Sequence, residues 1–418
     1  MTSRSWTRRE WMAAVGALSA STWTLAPRSA RGSGAIDGLD DWLRAPRAQR
    51  PPLADQPFAR VPLSKAEADA GLESLWKDHV STVRQERQGE LESGVLKIGD
   101  KEMPIFFKTF GDPPADGHSL WISMHGGGNA PPRVNDRQWE NQKRLYTLDE
   151  GIYVAPRAPT NTWDLWHQSH IDALFDRLIE DMVVFQGVDP DRVYLNGYSA
   201  GGDGVYQLAP RMADRFAAAA MMAGHPNETR PDGLRNLPFA LQVGGNDAAY
   251  DRNKVAREWG GELDHLSAAD PGGYTHLVKI HEGKGHWMGG EDKLAFPWMA
   301  GFRRRATPDR VVWLQDDVTH DRFYWLAVPP GQAKARTKVV ARREGRSVLI
   351  EQAEGVERLL IRWNDRMSDL DQPVSVKWRG ETLHEGIAPR TLANLAATLD
   401  SRGDKALTFS AEVAVSLT

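Results

Sequence analysis

The chain has 418 residues, no cysteine, and a formal charge of −4 from 52 basic and 56 acidic side chains. Hydrophobic residues make up 41% and charged residues 26%, which excludes a disordered, collagen-like or polytopic membrane protein. The near-neutral balance gives no electrostatic case for nucleic acid as a partner, and the missing cysteines exclude disulfides, thiolate zinc sites, iron–sulfur clusters and a cysteine nucleophile.

Residues 1–30 read as an address. Thr7-Arg8-Arg9-Glu10-Trp11-Met12 sets two arginines before an apolar stretch, Met12 to Ala26, too short and too rich in small residues to span a bilayer stably. The pattern resembles a twin-arginine export signal, so a periplasmic or secreted location is expected, with no stable membrane span after signal removal. Residues 31–63 mix Gly, Pro and Arg and read as linker. Ser64-Lys65-Ala66-Glu67 has the form of a capping box, and Leu72, Leu75, Trp76, Val80 and Val83 follow at helical spacing.

Eight strand-like runs come next, at roughly 91–98, 103–110, 119–124, 151–155, 192–196, 217–223, 239–244 and 275–281. The first two flank a Gly99-Asp100-Lys101 turn and read as a hairpin. The later ones are short, apolar and separated by helical stretches, which predicts a parallel sheet covered by helices. The clearest helix spans 169–186, where Ile171, Leu174, Phe175, Leu178, Ile179, Met182 and Val183 form one apolar stripe and Gly187 marks the end. After residue 305 the texture changes to short strands spaced by turn residues. That predicts an α/β domain at 64–305 and an all-β, sandwich-like domain at 306–418. Trp313, Phe323, Tyr324, Trp325, Trp363 and Trp378 of the second domain read as core first and as a ligand platform second.

Gly197-Tyr198-Ser199-Ala200-Gly201 follows a strand run and precedes a helix-compatible stretch. A sharp strand-to-helix turn would project the Ser199 hydroxyl, and flanking glycines avoid clashes at the bend. A serine needs a base to take its proton and an acid to orient that base. The acid candidate is Asp247, in the loop that leaves the strand run Phe239–Val243, with Asp251 and Asp264 as rivals. The base candidate is His286, in the glycine loop after the run Leu277–His281, with His276 and His281 as rivals. His281-Glu282 and His286 lack the helical i, i+4 spacing of a zinc motif. His125-Gly126-Gly127-Gly128 follows another strand run; its glycines let backbone N–H groups approach a developing oxyanion, with His125 bracing the loop. The second oxyanion donor would be the N–H of Ala200. Asp203 reads as a helix-start residue.

Together these motifs, in the order Ser199, Asp247, His286, resemble the α/β-hydrolase fold over about residues 90–305. Within it the chain looks most like polyhydroxybutyrate-depolymerase-like, dienelactone-hydrolase-like and prolyl-oligopeptidase-like esterases. The resemblance implies an eight-stranded, mostly parallel sheet with helices on both faces. It also implies Ser199 as nucleophile, His286 as general acid/base, Asp247 as orienting acid, and Gly127, Gly128 and Ala200 as the oxyanion hole. No metal or organic cofactor is implied. The expected partner is a small or polymeric ester, with Trp163, Trp166 and His167 lining its pocket. The segment 224–238 is too short for a large lid, so an open site is expected. Two other readings stand beside this one: a serine peptidase without a propeller, and an inactive binding protein on the same fold.

Overall fold

The computed structural model describes residues 34–417, and the expected export signal lies outside them. Residues 34–63, expected as linker, are instead structured. They form α1 (Gly34–Arg44) and three short 3-10 turns. Ala35, Leu39, Leu53, Ala59 and Leu63 are buried against α2 (Lys65–Ser93) and a helix near the other end of the chain. The capping box forms as expected: Ser64 and Glu67 bond each other's backbone N–H groups, and Ser64 Oγ donates to Glu67 as well. α2 runs through Ser93 and stops at Gly94 in the left-handed region (φ 68°), so the first strand begins at Val95 rather than 91.

The eight expected strands are all present. They are β1 (Val95–Ile98), β2 (Lys101–Phe110), β3 (His118–Met124), β4 (Gly151–Pro156), β5 (Val188–Tyr198), β6 (Ala218–Met222), β7 (Phe239–Gly244) and β8 (His276–His281). They form one sheet in the order β1-β2-β4-β3-β5-β6-β7-β8. β1, β2 and β4 pair antiparallel; β4 through β8 pair parallel. The intervening helices are α3 (Pro132–Gln142), α4 (Ser169–Gln186), α5 (Ala200–Arg211), α6 (Arg252–Ala269) and α7 (Ala295–Met299). β3 shows how helices cover both faces. Leu120, Ile122 and Met124 enter one core with Leu174 and Leu178 of α4, while Trp121 points into a second core with Phe296 of α7.

The rest of the chain builds two further sheets. β9 (Arg310–Leu314), β12 (Lys338–Glu344), β13 (Ser347–Glu354), β15 (Val374–Trp378) and β16 (Glu381–Gly386) form one, in the order β16-β15-β13-β12-β9. β10 (Arg322–Phe323), β11 (Leu326–Ala327), β14 (Arg358–Trp363) and β17 (Ala411–Ser416) form the other. The all-β expectation needs one correction: α8 (Leu392–Arg402) lies among these strands. Thr391 Oγ1 accepts the N–H of Asn394 at its start, and Gly403 turns left-handed at its end. Leu392, Leu395 and Leu399 of α8 complete the core that buries α1 and α2.

This β-rich region is packed into the eight-stranded layer. Val311, Trp313, Phe323, Trp325 and Trp363 share one core cluster with Phe216, Phe239 and Leu241. Trp325 and Trp363 are fully buried, and Trp313, Phe323 and Tyr324 nearly so, which closes them as a ligand platform. A buried charge network crosses the same boundary. Asp404 Oδ2 lies 2.7 Å from Arg304 Nη1 and 3.3 Å from Arg215 Nη1, and Arg402 pairs with Asp214.

Candidate active site

Ser199 sits where β5 breaks into α5. Its backbone is held at φ 58°, ψ −121°, a conformation that L residues rarely adopt. Its N–H donates to Met222 O of β6 (2.9 Å), and its C=O takes the first helical bond from Asp203 N (2.9 Å). Both flanking glycines are required by close approach. A Cβ on Gly197 would stand 2.2 Å from Gly201 O, and one on Gly201 would stand 2.2 Å from Met124 O. The Ala200 N–H heads α5, where no intrahelical acceptor can reach it.

Asp247 and His286 are brought together by two loops zipped along their backbones. Gly245 N donates to His281 O (2.9 Å) and Asn246 N to Lys284 O (2.8 Å). A Cβ on Gly244 would meet Gly285 O at 2.2 Å, so the loops touch backbone to backbone. The result is a 2.7 Å bond from His286 Nδ1 to Asp247 Oδ2, with the Asp247 carboxylate buried and the imidazole partly open. The rivals are placed elsewhere. Asp251 heads α6 in the left-handed region, and Asp264 accepts from His276 Nε2 (3.0 Å). His281 is buried between Gln242 (2.6 Å) and Glu291 (3.0 Å).

Tyr198 and Trp287 complete this corner, and sequence reasoning singles out neither. Tyr198 Oη donates to His286 O (2.7 Å), and its ring stacks on Trp287 at 5.2 Å. A serine elbow and a base loop are visible as motifs; an aromatic clamp between them is not, because it joins residues 88 positions apart. Ser199 opens into a cavity of about 460 Å³ bordered by Gly126, Tyr198, Trp287 and the end of α3.

The glycine loop after β3 abuts the serine. A Cβ on Gly126 would lie 3.1 Å from Ser199 Cβ. His125 is buried; its Nε2 accepts the N–H of Ala158 (3.1 Å), so the proton is on Nδ1, which donates to Gly126 O (2.6 Å). Burial holds the imidazole neutral, with its pKa pushed down to about 4. His125 is thus a brace, as expected. The oxyanion set needs a correction at Gly128. Its N–H already donates to Asn135 Oδ1 (2.9 Å), whose amide also bonds Ala130 O and Asn161 Oδ1. Gly128 therefore fixes the loop, and among the described residues the N–H of Gly127, at φ 116°, meets no acceptor.

Of the expected pocket residues, Trp163 is 59% exposed, whereas Trp166 is fully buried. Trp166 Nε1 donates to His125 O (2.9 Å) and its ring packs edge-on to His125, so it supports the loop and lines no pocket. His167 is half-buried, and burial, then Arg211, lowers its pKa to about 4. The β-rich region reaches this loop through His320, whose Nε2 donates to Asp172 (2.7 Å). Asp172 in turn accepts from Arg211, which donates to His167 O (2.9 Å). Burial pushes the Asp203 carboxyl up to about 6, and it accepts the His225 N–H (2.6 Å), bracing the loop after β6.

Among the described residues, one acidic group, Glu228, Asp316 and Asp317, has ligand oxygens within 4.8 Å of one another. Asp316 is engaged there by Arg336 (2.7 Å). Among the same residues no helix is long and apolar enough to cross a membrane.

No family model matches the chain. Among solved structures, a thermostable esterase aligns over 50% of the chain and 62% of its own, with a TM-score of 0.40 and 19% identity. LpqC, a poly(3-hydroxybutyrate) depolymerase from Bordetella parapertussis, aligns over 55% of the chain and 96% of its own, with a TM-score of 0.39 and 15% identity. In sequence, the chain is 29% identical over 140 residues to the bifunctional acetylxylan esterase/xylanase XynS20E of Neocallimastix patriciarum, covering 32% of the chain and 20% of that protein. It is 29% identical over 143 residues to the probable feruloyl esterase C of Aspergillus flavus, covering 33% and 52%. The chain thus spans from a fifth to about half of these relatives' lengths. Its strand order and serine elbow are those of an α/β-hydrolase. The sequence relatives named above are esterases.

Proposed function

We propose that the protein hydrolyses carboxylic esters through Ser199, His286 and Asp247, by way of a covalent acyl-enzyme. The observation that carries this reading is the 2.7 Å bond from His286 to the buried Asp247, tied through Tyr198 to a serine held at a strained elbow over an open cavity. Ser199 Oγ attacks the ester carbonyl while His286 Nε2 takes its proton. Asp247 keeps the other imidazole proton on Nδ1 and stabilises the imidazolium. The tetrahedral oxyanion rests on the N–H groups of Gly127 and Ala200. Collapse breaks the ester C–O bond, and His286 returns the proton to the leaving alcohol. Water then repeats the sequence on the acyl-enzyme, releasing the acid and restoring Ser199.

The names of the relatives, an acetylxylan esterase and a feruloyl esterase, support an ester over an amide substrate. The Arg8-Arg9 segment supports export by the twin-arginine route to the periplasm or beyond. A fluorophosphonate probe tests the site: peptide mapping is expected to find the label on Ser199 together with turnover of short p-nitrophenyl esters. Folded protein that neither labels nor turns over any of them overturns the reading.

Asn135 holds the loop that carries the oxyanion donor. Asn135→Ala is therefore expected to lower kcat by about 10- to 100-fold, less than outright loss of a donor, with a smaller change in KM. Steady-state kinetics on p-nitrophenyl acetate check this. An unchanged kcat would show that the loop needs no such brace.

A further inference from the structure

The face of α3 beside the serine carries a row of three arginines and an asparagine that nothing in the proposed chemistry uses. Arg133, Arg137, Asn141 and Arg144 are spaced four, four and three residues apart, which sets them along one side of the helix and the turn that follows it. All four are exposed. The row is about 16 Å long at 1.5 Å per residue.

The carboxylates of the same helix already hold closer partners. Asp136 pairs with Arg157 (2.9 Å) and Glu140 with Lys143 (2.6 Å). Arg144 reaches Glu140 only at 3.9 Å, and among the described residues no carboxylate pairs with Arg133 or Arg137. The row runs into the catalytic cavity, where Arg144 is the one charged side chain on the border and stands with Gln138 and Asn141. Carboxylates Glu228 and Asp317 gather instead near His167, off this row.

We propose that the ester substrate is borne on an acidic polysaccharide, a uronate-containing chain that lies along α3 and presents an ester to Ser199. This rests on the ester-hydrolase reading and narrows it. Planar guanidinium groups pair with carboxylates through two parallel N–H bonds, and unspent amides suit sugar hydroxyls. Two tryptophans argue for sugar rather than another polyanion. Trp287 borders the cavity and is 58% exposed, and Trp163 is 59% exposed on the loop packed against Gly128. Such flat indole faces match the apolar faces of pyranose rings.

The test compares acetylated polygalacturonate with an equally acetylated neutral galactan at low and high salt. Wild-type protein is expected to prefer the acidic polymer, and salt is expected to erase the preference. In R133Q/R137Q/R144Q, kcat/KM on the acidic polymer, divided by that on p-nitrophenyl acetate, should fall roughly tenfold. A second arm needs no catalysis. Ser199→Ala protein should bind unesterified polygalacturonate on affinity electrophoresis, and the triple arginine variant in that background should not. Equal, salt-independent rates on the two polymers, or binding to phosphatidylglycerol vesicles but not to polygalacturonate, would overturn the inference. If no ester is turned over at all, the hydrolase reading fails and the binding arm still decides this one.

Discussion

Ser199→Ala is expected to lower kcat on p-nitrophenyl acetate by about 10⁴-fold or more, with the fold intact. The hydroxyl is the only atom removed, and Ala fits the elbow no worse than Ser, since both carry a Cβ at φ 58°. Asp247→Asn is expected to cost about 10³- to 10⁴-fold while leaving KM near its starting value. The amide could accept or donate at Nδ1, so the imidazole loses the tautomer that leaves Nε2 free to take the proton of the proposed nucleophile. Steady-state kinetics with circular dichroism of each variant check both. A near-full rate in Asp247→Asn would shift the orienting role to another acid; a near-full rate in Ser199→Ala would remove the acyl-enzyme altogether.

The second large effect is on stability, at Asp404. This carboxylate is buried between Arg304 and Arg215, two guanidinium groups that are themselves buried. Burial alone would raise its pKa, but the two arginines outweigh that and hold it down to about 2. Asp404→Asn keeps an oxygen to accept the Ala406 N–H but leaves the arginines undercompensated. The expected loss is about 3 kcal/mol, at the low end for breaking a buried pair. The sign with pH follows from a folded pKa below the unfolded value of about 4. The contribution is complete above pH ~4 and disappears as the pH falls toward 2. Urea midpoints of wild type and variant should therefore differ at pH 7 and converge in that acid window. A constant difference across the window would place the effect outside the charge network.

Asp404 also bears on how the chain divides. The texture does change after Arg305: a helix-covered, mostly parallel sheet gives way to two sheets of mostly antiparallel pairs, with β13 and β15 parallel. Yet Arg215 and Arg304 on one side meet Asp404 on the other, and the apolar cluster is continuous across them. We propose that residues 306–418 fold cooperatively with the sheet. A chain cut after Arg305 would expose that core and strand both arginines.

Much of the site is legible in the sequence because its parts are local demands on the backbone. The elbow announces itself through Gly197 and Gly201, since any Cβ there would overlap a carbonyl oxygen. The helix at 169–186 is written in its stripe and its terminal glycine. The helix at 392–402 carries comparable signals, Thr391 and Gly403, but its moderate stripe sits among strands and is hidden by them. Residues 34–63 mislead for the opposite reason. Their Pro and Gly content is that of a linker, and only Leu392, Leu395 and Leu399, some 340 residues later, give their leucines something to bury against.

By itself, then, the sequence determined the eight strands, the serine elbow and the loops that carry Ser199, Asp247 and His286, because each depends on a few neighbouring residues. The tertiary structure decided what depends on distant ones. It bonded His286 to Asp247 rather than to Asp251 by zipping two loops together. It spent the Gly128 N–H on Asn135 and sent Trp166 under the loop rather than into the cavity. Hydrogen-bond donors and apolar faces are visible in a sequence; which acceptor or face they meet is set only when remote segments pack.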